Sequence, residues 1–157
     1  MSDVRIIEYS PELKNDFIKL NVEWIEKYFV VEPHDREQLE HADEHILAAG
    51  GRIFFALDTG TNEILGTVAL IKETDTLLEL AKMAVVPKAQ GRKIGKLLMT
   101  HFIAEARKTK ATKIYLESNT VLVPAINMYR SFGFEEVKEF KSLFERANIK
   151  MELNLDN

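Results

Sequence analysis

The sequence predicts a mixed α/β (α+β) fold in which helices flank a central, mostly antiparallel sheet. Residues 52–72 contain two β-like runs around the turn TGTN, which is typical of a hairpin. Residues 77–118 change from a β-like run to a helical apolar period and back, which indicates a βαβ crossover. Together these patterns favour a mixed sheet with the order β-α-α-β-β-β-α-β-α-β-β.

The first part of the chain is predicted to hold one strand and two helices. Residues 4–9 read as the first strand, and Ser10 and Pro11 open a helix as its N-cap and first helical residue. A second helix is predicted over residues 35–49, where two glycines end it. Apolar side chains recur through the first helix at steps of three or four residues: Leu13, Phe17, Leu20, Trp24 and Tyr28.

The rest of the chain is predicted to be strand-rich with two further helices. A long helix runs to about Lys108, and a short one begins at Pro124 and ends before Gly133. One side of the long helix is formed by Ile94, Leu97, Leu98, His101, Phe102 and Glu105. The strands are predicted at residues 52–58, 63–72, 77–86, 113–118, 134–140 and 148–155.

Composition limits the class of protein. Residues 1–157 suit one domain, with 46% hydrophobic and 29% charged residues. There is no run of about 18 apolar residues and no signal-peptide pattern, so a cytoplasmic protein without a membrane partner is expected. Because the chain has no cysteine, disulfides, cysteine-ligated zinc and a cysteine nucleophile are excluded. The net charge of −4 argues against a nucleic-acid partner.

Residues 83–99, MAVVPKAQGRKIGKLLM, carry the strongest chemical signal. A strand ends there and glycines open a helix, whose N-terminus offers free N–H groups and a positive dipole end to phosphate. A P-loop is excluded because only three residues separate Gly91 from Gly95 and Leu97 replaces the Mg²⁺-binding Ser or Thr. The G-x-G-x-x-G spacing of a dinucleotide site is absent as well.

This segment resembles the pyrophosphate loop of the GNAT superfamily of acyl-CoA-dependent N-acyltransferases. That loop reads Q/R-x-x-G-x-G/A after a strand of the type E-L-x-K-M-x-V. Residues 79–85 read ELAKMAV and residues 90–95 read QGRKIG, with Lys93 in place of the middle glycine. Residues 125–134, AINMYRSFGF, are similar to the A-I-x-x-Y-x-x-x-G-F segment of the family. The resemblance covers about residues 5–154 and implies a GNAT-like fold, acetyl-CoA as co-substrate and an amine acceptor.

The resemblance also implies roles for individual residues. Tyr129 is the candidate general acid for the departing thiolate, and Glu79 is the candidate base, directly or through water. Glu117 is a second carboxylate at a strand end. The family often has an Asn where this chain has Leu122, so Asn119, three residues earlier, becomes the candidate for that contact. The implied cofactor-binding residues are Met83, Ala84, Val85, Gln90, Gly91, Arg92, Lys93, Ile94, Gly95, Lys96 and Asn119.

Within that set, the resemblance implies different binding roles for two stretches of backbone. The backbone of Met83 and Val85 would bind pantetheine and polarise the thioester carbonyl, and the N–H groups of residues 91–96 would hold the pyrophosphate. If the backbone of Lys93 takes a positive φ angle, its side chain costs roughly 1 kcal/mol of strain.

The chemistry itself favours direct transfer. An alkyl ammonium has a pKa of about 10.4, so the site must remove a proton before the amine can attack. The chain has no cysteine and no G-x-S-x-G nucleophile elbow. We therefore expect the amine to attack bound acetyl-CoA without a covalent acyl-enzyme.

Other interpretations stay open at this stage. The loop could be a plain turn, Tyr129 a core aromatic residue and Glu79 a structural partner of Lys82 or of an arginine. The protein could be a non-catalytic acyl-CoA sensor or interaction module, or bind nucleic acid through the basic loop. His41 and His45 fall opposite the apolar face of their helix, so no metal site is predicted. The acceptor remains an unidentified amine, and a homodimer is expected only by analogy.

Overall fold

Seven strands form one sheet in the computed structural model, which describes residues 3–155. The strands are β1 Val4–Glu8, β2 Arg52–Asp58, β3 Ile64–Lys72, β4 Leu77–Val85, β5 Lys113–Ser118, β6 Glu135–Val137 and β7 Ile149–Asn154. They lie in the order β1-β2-β3-β4-β5-β7-β6, and only β4 and β5 are parallel. The predicted element order and the mostly antiparallel sheet are confirmed.

Four α-helices cover the two faces of this sheet. They are α1 Lys14–Tyr28, α2 Pro33–Glu40, α3 Ile94–Ala106 and α4 Val123–Ser131. Because side chains alternate along a strand, Phe54 and Phe55 of β2 point to opposite faces. Phe55 belongs to the apolar cluster that contains Phe17 of α1, whereas Phe54 belongs to the cluster that contains Phe102 of α3. The protein is therefore a three-layer sandwich with one core on each side of the sheet.

The predicted second helix is wrong at both ends. α2 begins at Pro33 and not at Asp35, because the side chains of Glu32 and Asp35 form a reciprocal capping box at its start. It ends at Glu40, and a separate π-helical turn follows at Asp43–Leu47.

Three other predictions need correction. Leu97, predicted on the apolar side of the long helix, is 42% exposed. The strand predicted at residues 134–140 has only three residues, Glu135–Val137, and residues 138–148 form a loop that reaches back towards α2. Tyr28, predicted on the apolar side of α1, is 46% exposed.

The sheet splays in its middle. β4 and β5 pair only from Leu77–Lys113 to Glu79–Tyr115 and then diverge. On its other edge β4 carries a β-bulge, because Lys82 and Met83 together oppose the single residue Val68 of β3. The backbone of Lys82 is left-handed at the bulge, with φ 54°. The bulge thus bends β4 where the gap opens.

Candidate active site

The gap between β4 and β5 leaves strand edges without a strand partner. Pairing between the two strands ends at Glu79 and Tyr115, while β4 keeps its pairing with β3 as far as Val85. Backbone N–H and C=O groups of residues 80–85 on the β5 side therefore face the gap. Such groups need water or a ligand as a partner. An extended molecule with amide groups of its own can bind there as an added strand would.

The loop before α3 has the backbone geometry that suits an anion. Gly91 has φ 92° and Lys93, the N-cap residue, is left-handed at φ 61° and ψ 32°. The N–H of Leu97 donates to the carbonyl of Lys93 at 3.1 Å, so the N–H groups of residues 93–96 precede the helical ladder. Free N–H groups and the positive end of the helix dipole suit a phosphate group.

The positively charged side chains of the loop differ in their partners. Arg92 forms an ion pair with the buried Asp58, its Nη1 lying 3.0 Å from Oδ2. Lys93 and Lys96 are exposed and pair with no carboxylate among residues 3–155. The lysines, rather than the predicted Arg92 side chain, are thus the cations that remain available to an anion.

Two cavities meet at this end of the molecule. The first, which we name the α3 groove, is lined by Met83, Ala84, Val85, Gln90, Gly91, Lys93, Ile94, Gly95, Lys96, Ala125 and Met128. The second, which we name the splay cleft, is lined by Glu79, Lys82, Glu117, Asn119, Phe144 and Arg146, among others. Trp24, Met83 and Tyr129 line both. These three residues therefore mark the junction where ligands from the two cavities would meet.

Tyr129 places a free hydroxyl at the junction. The residue lies on α4, is 8% exposed, and packs its ring 6.2 Å from that of Phe134. Its hydroxyl forms no hydrogen bond with any residue from 3 to 155. Burial raises the pKa of Tyr129 to about 12, so the hydroxyl stays protonated at neutral pH. A protonated hydroxyl without a protein acceptor is suited to donate a proton to a bound ligand.

Glu79 places a carboxyl group in the splay cleft. Burial, followed by the charges of Glu117 and Glu73, raises the pKa of Glu79 to about 7 against the opposing effect of Lys82. A carboxyl group with this pKa exchanges protons readily at neutral pH. Glu79 is not the ion-pair partner of Lys82, because the Lys82 ammonium lies 2.6 Å from Asp35.

A buried ion cluster forms one wall of the splay cleft. Asp35 is fully buried and accepts bonds from Lys82 and from both Nη atoms of Arg146, each at 2.6 Å. The Arg146 guanidinium also lies 3.2 Å from Glu32. The ring of Phe144 lies beside both cations, 4.6 Å from Lys82 Nζ and 4.5 Å from the Arg146 guanidinium carbon. This cluster fastens the loop 138–148 to α2 and to the β4 bulge.

The structure brings together most of the residues that the sequence singled out. The α3 groove contains every predicted cofactor-binding residue except Arg92 and Asn119. Asn119 lies in the splay cleft, where its side chain donates to the carbonyl of Arg146 at 2.6 Å and accepts from the N–H of Val121 at 2.9 Å. Asp35 and Phe144 were not predicted as site residues, because no motif in the sequence links α2 to the distant loop.

Within residues 3–155, no helix is long and apolar enough to cross a membrane. The same residues contain no group of three or more side chains placed to hold a metal ion. His45 lies 3.3 Å from Glu37 on the outer side of the second helical segment.

Comparison with known proteins adds to this geometry. The model of the acetyltransferase (GNAT) family matches residues 18–134. An uncharacterized N-acetyltransferase of Schizosaccharomyces pombe is 31% identical over 62 residues, which span 40% of this chain and 38% of that protein. A GNAT-family acetyltransferase from Staphylococcus aureus Mu50 superposes with a TM-score of 0.88 at 25% identity, over 98% of this chain and 100% of the other.

A further similar structure contains a ligand. A Salmonella typhimurium protein solved with its cofactor acetyl-CoA superposes with a TM-score of 0.77 at 16% identity, over 99% of this chain and 96% of that one. At this identity the likeness shows a shared fold.

Proposed function

Because the chain belongs to the acetyltransferase (GNAT) family, we propose that it transfers the acetyl group of acetyl-CoA directly to a primary amine. The observation that carries the proposal is the junction of the α3 groove and the splay cleft at Trp24, Met83 and Tyr129. A donor held in the groove and an acceptor held in the cleft would present their reacting atoms to each other there.

The α3 groove suits the donor along its length. The N–H groups of residues 93–96 and the side chains of Lys93 and Lys96 would bind the pyrophosphate. The unpaired edge of β4 at residues 80–85 would bind the amide groups of pantetheine. This edge also offers backbone N–H groups that can polarise the thioester carbonyl near Met83.

The two titratable side chains would then handle the protons. Glu79, directly or through water, accepts a proton from the acceptor ammonium, and the free amine attacks the carbonyl carbon. The C–N bond forms as the C–S bond breaks, and Tyr129 donates its proton to the departing sulfur. The second proton of the amine nitrogen then passes to the Tyr129 phenolate, directly or through water, and restores the hydroxyl. The products are the N-acetylated amine and the free thiol of CoA, and no acyl-enzyme is required.

The site residues can be tested through their proton roles. In an assay that detects the released thiol, Tyr129→Phe should lower kcat by about 10²-fold or more and change KM less. Tyr9→Phe is the matched control, because that hydroxyl bonds to Asp43 and lies outside both cavities. An unchanged kcat in Tyr129→Phe would remove Tyr129 as the general acid.

The remaining expectations belong to the same proposal. We infer that residues 1–157 act as one catalytic domain. A cytoplasmic location and a homodimer remain predictions, which cell fractionation and light scattering would test.

A further inference from the structure

The charges that line the splay cleft do not balance. Among residues 3–155 its cations are Lys82, which Asp35 engages, and Arg146, which Asp35 and Glu32 engage in the buried cluster. Two cations and two carboxylates cancel, so the cluster offers little net charge to a ligand. The carboxylates of Glu79 and Glu117 remain in the cleft without an ion-pair partner among residues 3–155.

The partners of these two carboxylates are neutral or acidic. Glu117 accepts a hydrogen bond from the Ser142 hydroxyl. Lys150 lies opposite Glu117 on the neighbouring strand but forms no ion pair with Glu117. The Lys150 ammonium instead lies 4.7 Å from the centre of the Tyr115 ring. The Tyr115 hydroxyl in turn donates to Glu73 at 3.0 Å, which leaves a third carboxylate close to Glu79. The region that receives the acceptor is therefore negative.

The remaining walls of the cleft also favour a cation. Trp24 and Phe29 line it, and among residues 3–155 no cation lies over the Trp24 ring. An aromatic face next to carboxylates is a favourable environment for an ammonium group. Tyr129 lines the same cleft, and its hydroxyl forms no hydrogen bond with any residue from 3 to 155, so a polar ligand in the cleft would supply the partner that it lacks.

Resting on the proposed acetyl transfer, we propose that the acceptor is an alkyl amine with at least two positive charges and no carboxylate group. Glu79 receives the reacting ammonium and Glu117 receives the second cation. A free α-amino acid is disfavoured, because its carboxylate would enter beside Glu79 and Glu117 and would find Lys82 and Arg146 already paired.

Three acceptors of one carbon skeleton separate these effects. Pentylamine carries one charge, 1,5-diaminopentane carries two, and lysine adds a carboxylate to the diamine. We expect kcat/KM for the diamine to exceed that for pentylamine and that for lysine by about tenfold each, or roughly 1.4 kcal/mol. Glu117→Gln should reduce the ratio of diamine to pentylamine to near one. Glu136→Gln, on the exposed face of β6, should keep the wild-type ratio.

Separate measurements distinguish a wrong acceptor assignment from a failure of the proposed function. Binding of acetyl-CoA, measured by calorimetry, tests the function on its own. If acetyl-CoA binds but lysine is used as well as the diamine, or none of the three amines is acetylated, the acceptor assignment is overturned. The same holds if Glu117→Gln leaves the ratio unchanged. If acetyl-CoA does not bind, the proposed function fails first.

Discussion

Replacing Asp35 by Asn would leave buried cations without the carboxylate that holds them. The Lys82 side chain is only 5% exposed and has Asp35 as its ion-pair partner, whereas Arg146 keeps Glu32 at 3.2 Å. Removing one partner of a buried ion pair typically costs about 3–5 kcal/mol. Because Arg146 retains a carboxylate, we expect Asp35→Asn to lower the free energy of unfolding by about 3 kcal/mol at pH 7.

The pKa of Asp35 gives a second value for the free energy that this carboxylate contributes to stability. Burial alone would raise it, but the hydrogen bonds from Arg146 and the charge of Lys82 lower the pKa of Asp35 to about 2 from 3.8. A shift of this size is worth roughly 2–3 kcal/mol. Since the folded pKa is the lower one, this stabilisation is fully present above pH 4 and is lost as the pH falls towards 2.

Urea unfolding followed by the fluorescence of Trp24, the only tryptophan in the chain, would measure the loss. About 3 kcal/mol corresponds to a fall in Tm of roughly 6–12 °C for a domain of this size. The difference between wild type and Asp35→Asn should shrink as the pH falls from 4 to 2. Comparing the two proteins removes the contribution of Glu105, whose pKa is also lowered to about 2 by Lys108 and Arg52.

Two further variants test whether the loss of stability comes from the buried ion cluster. Glu40→Gln removes an exposed carboxylate of the same helix, which pairs with Arg36 at 3.7 Å, and should change stability by less than about 0.5 kcal/mol. The double variant Asp35→Asn with Lys82→Met should recover part of the loss, because it removes the unpaired ammonium. A loss below about 1 kcal/mol in Asp35→Asn would refute the claim that Asp35 holds the cluster together.

Three predictions concern the two cavities. In the wild type, kcat/KM should rise with pH through about 7, since Glu79 accepts a proton only when ionised. Glu79→Gln should abolish this rise. A rise retained in the pH–rate profile of the variant would show that another group is the base. Gly95→Leu should raise the Kd for acetyl-CoA at least tenfold. Gly95→Ala should bind nearly normally, because its Cβ would lie 3.4 Å from Met128 Sδ. Equal affinities of the two variants by calorimetry would contradict the groove assignment. Lys93→Ala should weaken acetyl-CoA binding about threefold at low salt and less at high salt, and a salt-independent loss would argue against contact with a phosphate.

Local patterns predicted the parts of the fold whose causes are local. The strands at residues 52–58 and 113–118 match the sequence prediction, because two glycines and the turn TGTN bound the first and alternation marks the second. The turn before α3 was predicted from glycine spacing, and the left-handed Lys93 fits the strain expected at that position. The Tyr129 segment was found through its resemblance to a known family, and the structure places it beside the loop.

Features that depend on distant partners could not be predicted. Asp35 and Arg146 lie 111 residues apart, and no periodicity relates a helix N-terminus to a loop near the end of the chain. The capping box of Glu32 and Asp35 moved the start of α2, because those residues read as ordinary surface acids in the sequence. The ion pair between Arg92 and the buried Asp58, at 3.0 Å, joins residues 34 positions apart and could not be predicted either.

Titration of the folded protein with acetyl-CoA, read as a thermal shift with ATP and NAD as controls, tests the central claim most directly. Binding at about 100 times Kd should add about 2.7 kcal/mol, or roughly 5–11 °C in Tm, for acetyl-CoA alone. Gly95→Leu should reduce that shift while keeping its own Tm near that of wild type. No shift at millimolar acetyl-CoA in a protein that melts cooperatively would contradict the donor site and, with it, the proposed acetyl transfer.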